Sequence, residues 1–326
     1  MLVKFPKQIS EGSLGCFMGV FSSVGYLMVY LLGPFVSVKT FSFILMVPIV
    51  MFLVLFSLWL QESPYYHIAN SDPTAAEMSL SKLRTKDSNT IHKELEIIRE
   101  TIEECKSDES FIGKLKCKSF RKGIIITVTM MVFQPFMGLT IILSYMQPIF
   151  AASGSSLPSS TSTILVSFVQ LISVLVSSSL VEKWGRRKLL MLATSGCTLP
   201  LFMLGVFFYL KNEGKDVSFL WWLPVCSLIA YMVAYSSGLG SVIWALVGEL
   251  FSTKTKALAS SLTAFTCFFL SFFVTLIFPS LEGLIGYHGT FWFFSCNGLI
   301  FCLFVFFFVP ETKGKSFQEI KILLEQ

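Results

Sequence analysis

The chain has 326 residues, of which 54% are hydrophobic and 14% charged, with 34 Phe and a mean hydropathy of +0.72. A soluble domain carries about 25% charged residues, so this composition excludes a water-soluble globule. The net charge of +5 calls for no nucleic-acid partner, because Lys and Arg are placed unevenly along the chain, as a membrane topology requires.

Apolar blocks of about twenty residues, long enough to cross about 30 Å of hydrocarbon as helices, read as eight spans. The first two run from Gly12 to Pro34 and from Thr40 to Leu60. Residues 61–121 then turn mixed in charge. Leu95, Ile98 and Ile102 recur at helical spacing among Glu and Lys, the pattern of an amphipathic helical segment outside the bilayer. Six further spans follow over 122–309: Lys122 to Phe150, Ser160 to Val181, Leu189 to Leu210, Phe219 to Gly248, Leu258 to Leu281 and Thr290 to Val309. A polar tail, 310–326, closes the chain. With the first residues placed in the cytoplasm, 22 of the 25 Lys and Arg fall in cytoplasmic segments. This predicts both termini and the 61–121 loop to be cytoplasmic.

Polar residues inside spans are costly unless they face a partner or a wet cavity. The third span carries Gln134, followed by Pro135 and Gly138. Pro removes a backbone donor and Gly loosens the helix, so a break or hinge is expected there. Were the helix regular, Gln134, Gly138, Ile141 and Tyr145 would share one face. Thr140 and, in the fourth span, Gln170 are further candidates, and each polar residue has interhelical packing as its alternative. In the sixth span Gly238 and Gly240 allow a bend or a close approach. Trp244 there offers a flat apolar face and one donor, or plain packing surface to lipid or core.

Charged residues collect at span ends: Glu62; Glu182 with Arg186 and Arg187; Glu249 with Lys256; and Glu311. Each cluster alone reads as the flank of a span. Together they place acid and base at the same side of four helix junctions, where ion pairs worth about 0–1 kcal/mol each make a latch able to open. The eight Cys and three His show no metal-ligand spacing, and no nucleophile triad or phosphate loop is present. The chain is therefore expected to be no enzyme and to need no cofactor or metal. No Asp or Glu lies in the interior of a span.

Glu182-x-x-Gly185-Arg186-Arg187, Glu62-Ser63-Pro64 and Pro310-Glu311-Thr312-Lys313-Gly314-Lys315 resemble signatures of the sugar-porter family of the major facilitator superfamily, most like the insect facilitated trehalose transporters. The resemblance implies an all-α membrane protein of twelve spans in two six-helix bundles, with a sugar bound between them and alternating access to the two sides. Against that plan the eight spans are similar to the fifth through twelfth, so 1–60 corresponds to the last two spans of an incomplete amino-terminal bundle. The family's sugar-binding positions fall here on Gln134, Thr140, Gln170, Trp244 and Thr266, with Tyr145 on the same face. Pro135, Thr140 and Thr266 replace amide side chains of the family. The expectation is facilitated diffusion of trehalose or a hexose across a plasma membrane, not by these residues unaided. The alternative is a non-transporting sensor or regulator that associates with a full-length transporter.

Overall fold

The computed structural model of the chain describes residues 11–59, 62–70, 72–83, 88–106, 118–155, 157–251, 253–315, 319–320 and 322–323, and all regular elements among them are helical. In chain order these are α1 (Glu11–Leu32), α2 (Val38–Trp59), α3 (Pro64–Ala69), α4 (Pro73–Leu83), α5 (Ser88–Lys106), α6 (Lys118–Phe133), α7 (Leu139–Ser153), α8 (Ser159–Trp184), α9 (Arg186–Asn212), α10 (Leu223–Ala234), α11 (Gly240–Leu250) and α12 (Thr253–Phe308). A 3-10 turn, Pro135–Met137, joins α6 to α7, and a π turn, Tyr235–Leu239, joins α10 to α11.

Six helical stretches among the described residues are long and apolar enough to cross a membrane, beside a shorter apolar one at Gly19–Leu32. The last of the six is α12, whose 56 residues at 1.5 Å each far exceed one crossing. It breaks at Gly286, where φ is 70° and ψ 172°. The break separates the seventh and eighth expected spans, and the 282–289 stretch needs no open loop.

The chain divides into two compact units, 1–35 with 117–326, and 36–116. In the first, α1 and α6 to α12 form a bundle around Ile141, Met146, Tyr231, Leu239, Phe291 and Phe301, none more than marginally exposed. Its opposite surface is just as apolar: Phe265, Phe268, Phe272 and Leu276 stand exposed at helical spacing along α12. A surface of that kind suits lipid tails. Backbones approach closely where side chains are absent; at Gly196 an added Cβ would lie 2.9 Å from that of Ala234, the small-residue packing usual between membrane helices. α1 lies along α8, and the Tyr30 hydroxyl donates to the Leu143 carbonyl.

In the second unit, α2 is a long apolar helix with no buried side chain in its most hydrophobic window. The short helices α3, α4 and α5 pack on one another, burying Pro64, Ala76, Leu80, Ile91 and Ile98. Ser63 caps α3 through its side chain, which accepts from the Tyr65 amide, and Pro64 takes the first helical position, where a missing N–H costs nothing. His92 and Glu77 meet at 3.7 Å across α4 and α5.

Candidate functional site

The polar centre of the bundle forms where the third span breaks. Pro135 cannot donate and Gly138 adopts φ 85°, the left-handed region open to glycine, so α6 and α7 do not continue one another. The regular face assumed for Gln134, Gly138, Ile141 and Tyr145 therefore does not exist; Ile141 is fully buried, and Tyr145 sits at a second non-helical residue (φ −118°, ψ 17°), its ring 4.7 Å from that of Phe278. Breaking a helix in an apolar medium frees carbonyls that must find donors. The Tyr231 hydroxyl meets this need, donating to the Met137 carbonyl at 2.9 Å.

Gln134 is buried, and both ends of its carboxamide are engaged. Its Nε2 donates to the Tyr235 hydroxyl at 2.9 Å, and its Oε1 accepts from the Cys267 thiol at 3.5 Å. Tyr235 opens the π turn, whose extra residue per turn shifts the register of the helix at that point. Two residues that sequence reasoning did not place in the site, Tyr231 and Tyr235, thus hold it together with Cys267, which stands beside Thr266 where the family has a Trp. The available signal was the polar tip of each Tyr within an apolar span, which requires a partner.

The other expected binding residues are placed differently. Thr140 Oγ1 and Gln170 Oε1 are buried oxygens without a hydrogen-bond partner. Unpartnered buried polar atoms are costly and mark places where water or a ligand belongs. Trp244 is partly exposed and lies 6.3 Å from the Phe268 ring; Thr266 is exposed and donates to the Leu262 carbonyl of its own helix. Of the hinge glycines, Gly238 lies in the π turn and packs against α9, where an added Cβ would reach the Leu189 carbonyl at 2.9 Å. At Gly240 the same Cβ would meet only ordinary contacts from 3.5 Å outward. Beside them the Ser177 and Ser241 hydroxyls share a hydrogen bond of 2.9 Å between α8 and α11.

The charged residues at one end of the bundle meet as a connected set. Glu249 accepts from Arg186 Nε and Nη2 at 3.1 and 2.8 Å, and its other oxygen accepts from the Thr312 hydroxyl at 2.6 Å. Glu311 does not pair with a guanidinium. It accepts the backbone amides of Arg186 and Arg187 at 3.0 and 3.2 Å, capping the start of α9, and the Lys313 amide at 3.0 Å. A carboxylate there meets both unsatisfied amides and the positive end of the helix dipole. Burial works to raise the Glu311 pKa, but the three amides and the nearby Arg186 charge outweigh it and hold the carboxyl below its ordinary value. Gly185 makes room: with φ 83°, any Cβ would lie 2.9 Å from Glu311 Oε2. Arg187 bonds the Phe306 carbonyl and stands over the Phe306 ring at 5.6 Å. Lys256 is half-buried nearby in chain order, the Glu182 side chain lies outside the described residues, and Glu62 is exposed in the second unit.

A separate surface depression of about 610 Å³ lies between the end of α9 and the Gly286 break, lined by Asn212, Glu282, His288 and Trp292 among others. None of the expected binding or gate residues lines it. Among the described residues no group of His, Cys, Asp and Glu could hold a metal ion.

A family model described as "Sugar (and other) transporter" matches residues 6–324. The Facilitated trehalose transporter Tret1 of Polypedilum vanderplanki is 33% identical over 315 residues, covering 95% of this chain and 62% of that protein. Its namesake in Bombyx mori is 32% identical over 334 residues, covering 98% and 65%. The chain thus spans somewhat less than two thirds of the length of these relatives. Among solved structures, the proton:xylose symporter XylE bound to 6-bromo-6-deoxy-D-glucose superposes with a TM-score of 0.72 at 24% identity, over 96% of this chain and 67% of the other. The inward-open form of XylE from E. coli gives 0.74 at 23%, over 98% and 66%. At that identity the likeness is one of fold.

Proposed function

Because the chain belongs to the sugar (and other) transporter family, and is a multi-pass helical membrane protein of that fold, we propose that it forms the greater part of a facilitated-diffusion carrier for a sugar, trehalose or a hexose. The observation that carries this reading is the polar centre at the broken third span. Gln134 is buried there, and Thr140 Oγ1 and Gln170 Oε1 lack partners in the spans on either side of the following turn. A sugar hydroxyl can satisfy such groups, and a few net hydrogen bonds of about 0.5–1.5 kcal/mol suffice for millimolar binding that still permits release. The span interiors hold no Asp or Glu to shuttle a proton, which favours facilitated diffusion over proton symport. The names of the trehalose-transporting relatives support trehalose as the first substrate to try.

The carrier reading takes the plasma membrane as its site, and the distribution of Lys and Arg supports an orientation with both termini cytoplasmic. The set around Arg186, Glu249 and Glu311 then lies on the cytoplasmic side, as a gate that parts when the bundles rock. Alternating access needs two bundles about one site. Residues 118–308 supply six spans and residues 11–59 two more, so these 326 residues are expected to transport only when joined to four further spans.

The test is uptake of labelled trehalose and glucose into oocytes by this chain and by the chain preceded by the four amino-terminal spans of the Bombyx mori relative. Uptake by the extended form alone supports the carrier reading. If both forms reach the surface and neither moves any sugar in a broad panel, the carrier reading falls. The second reading then takes its place, a membrane sensor or regulator that associates with a full-length transporter. It is favoured by Pro135 and Thr140, which leave fewer amide groups in the third span.

A further inference from the structure

We propose that the depression between the end of α9 and the Gly286 break binds an organic ammonium group, supplied by the headgroup of a phosphatidylcholine or phosphatidylethanolamine. The proposal rests on the membrane fold alone and stands apart from the carrier reading.

The charge of the place comes first. Its lining holds one charged side chain, the half-buried Glu282 carboxylate, and no Lys or Arg. Glu282 makes no ion pair or hydrogen bond among the described residues. The backbone adds to the same sign. α9 ends at Asn212, and the first half of α12 ends where Gly286 leaves helical geometry. Two helix carboxyl ends, each worth about half a negative charge, therefore reach one depression. Amides of residues 213–215 meet the Tyr209, Leu210 and Lys211 carbonyls of α9 without bringing a countercharge. The Lys211 ammonium is taken up by the Ala152 carbonyl at the end of α7, at 2.7 Å, and the exposed Lys215 is not in the lining. A cation is what this place lacks.

The rings beside Glu282 select the kind of cation. Tyr209, His288 and Trp292 stand mutually close, with centroids 5.5 to 5.8 Å apart. Aromatic faces attract an ammonium within about 6 Å and hold its methyl or methylene groups as well. The volume, about 610 Å³, is that of a small-molecule site and far beyond a bare ion. The Trp292 Nε1 is buried without an acceptor, its indole lying so close over Gly205 that an added Cβ would fall 2.5 Å from it. An orphaned indole N–H marks a place where a polar group belongs, and the phosphate that accompanies a lipid ammonium carries acceptor oxygens.

The border of the depression favours a lipid over a soluble amine. Leu284, 82% exposed, and Ile285 line it on one side. Apolar surface then continues along both helices, through the exposed Phe202 and Leu199 of α9 and the exposed Phe293 and Leu299 of α12. Acyl chains can follow that surface while the headgroup stays at the turn between the last two spans, where a membrane boundary falls.

The experiment uses the 326-residue chain in detergent. Bound lipid is counted by native mass spectrometry after adding phosphatidylcholine, phosphatidylethanolamine or phosphatidylglycerol of one acyl composition. Melting curves accompany every variant. Glu282→Gln removes the carboxylate with little change of shape. Asn212→Lys sets a cation at the exposed rim, leaves Glu282 in place, and decides alone if Glu282→Gln fails to melt cooperatively. Each is expected to lower occupancy by the two ammonium lipids about three- to ten-fold, with phosphatidylglycerol unchanged or higher. Glu213→Gln, at an exposed carboxylate outside the lining, should stay within about two-fold of the parent. The proposal is overturned if the parent retains neither ammonium lipid, or if both variants keep parental occupancy. It is equally overturned if phosphatidylglycerol falls in step with the others, the mark of lost apolar surface alone. Millimolar choline separates the two sources of ammonium. Displacement of bound phosphatidylcholine by choline supports the site; choline that raises the parent's melting temperature while no ammonium lipid is retained overturns the lipid source.

Discussion

At the scale of single residues, the most informative contact is the one Glu311 makes. An acid beside two arginines suggests an ion pair, yet the carboxylate turns to the backbone amides of Arg186 and Arg187 and leaves the Arg186 guanidinium to Glu249. The physical reason is that the first amides of α9 have no partner within the helix, whereas a guanidinium at the membrane boundary has water or another acid. Glu311→Gln keeps the shape and removes the charge. It should lower the melting temperature in detergent at pH 7 by about 2–4 °C, the effect of a helix cap worth about 1 kcal/mol. The folded pKa lies below the ordinary 4.5, so the carboxylate's stabilisation is complete above that value and disappears as pH falls through the folded pKa. Melting curves of the two proteins should thus converge on acidification; a gap that stays constant to low pH would refute the charge's part in it. The sequence shows the charges of this junction plainly, since Arg186, Arg187, Glu249 and Glu311 all stand at span ends. Which partner each one takes is decided by unsatisfied backbone groups, and those become visible only once the helix ends are positioned.

At the scale of elements, spans are legible because lipid demands about twenty apolar residues and tolerates few charges. Their internal breaks are legible only in part. Pro135 and Gly138 announce the interruption of the third span, and the structure has it there as a 3-10 turn and a left-handed glycine. That Gln134 pairs with Tyr235 and Cys267 was not legible: they lie 101 and 133 residues away in sequence, among 9 Tyr and 8 Cys whose spacing points to neither. Nor does periodicity show that the seventh and eighth spans meet at Gly286 with helix on both sides of a single turned residue. That turn makes a prediction. Gly286→Ala places a Cβ 2.9 Å from His288 Nδ1 on a backbone with φ 70° and ψ 172°, a region essentially reserved for glycine and costing other residues about 1–3 kcal/mol. Its melting temperature should fall by about 2–8 °C. Gly283→Ala, at a helical glycine with nothing within 4 Å, should leave it unchanged or raise it slightly. Equal effects of the two substitutions would show that the turn at 286 is not what sets the last two spans.

At the scale of the whole molecule, eight crossings with both ends on one side form a consistent topology only if the 61–121 segment and the Arg186 junction share the cytoplasmic side. The direct measurement is a short epitope inserted after Gly214, an open turn with nothing within 4 Å of its α-carbon's free position, beside one at the carboxyl terminus. The first should be stained in intact cells and the second only after permeabilisation; the reverse pattern would invert the orientation and move the Glu311 set to the outside. The distribution of Lys and Arg sets an expectation for orientation that this labelling tests, while the grouping of the helices was not legible in the sequence. Contacts join α1 to the bundle of α6–α12 and place α2 with α3–α5 in a second compact unit, although α1 and α2 are neighbours in the chain and look alike in composition. Apolar faces that touch lipid and apolar faces that touch protein carry the same side chains, so hydropathy alone does not sort them.

The cap that Glu311 places on α9 also has a consequence in time. A ribosome makes residues 186 and 187 more than 120 residues before it makes residue 311. Until then the start of α9 has no carboxylate to complete it, and Gly185 leaves a gap at that spot. The bundle is therefore inserted with one seam unfastened, and residue 311 fastens it when it arrives. A factor that binds exposed helix starts would find the start of α9 open only in the interval between the synthesis of residues 186 and 187 and that of residue 311.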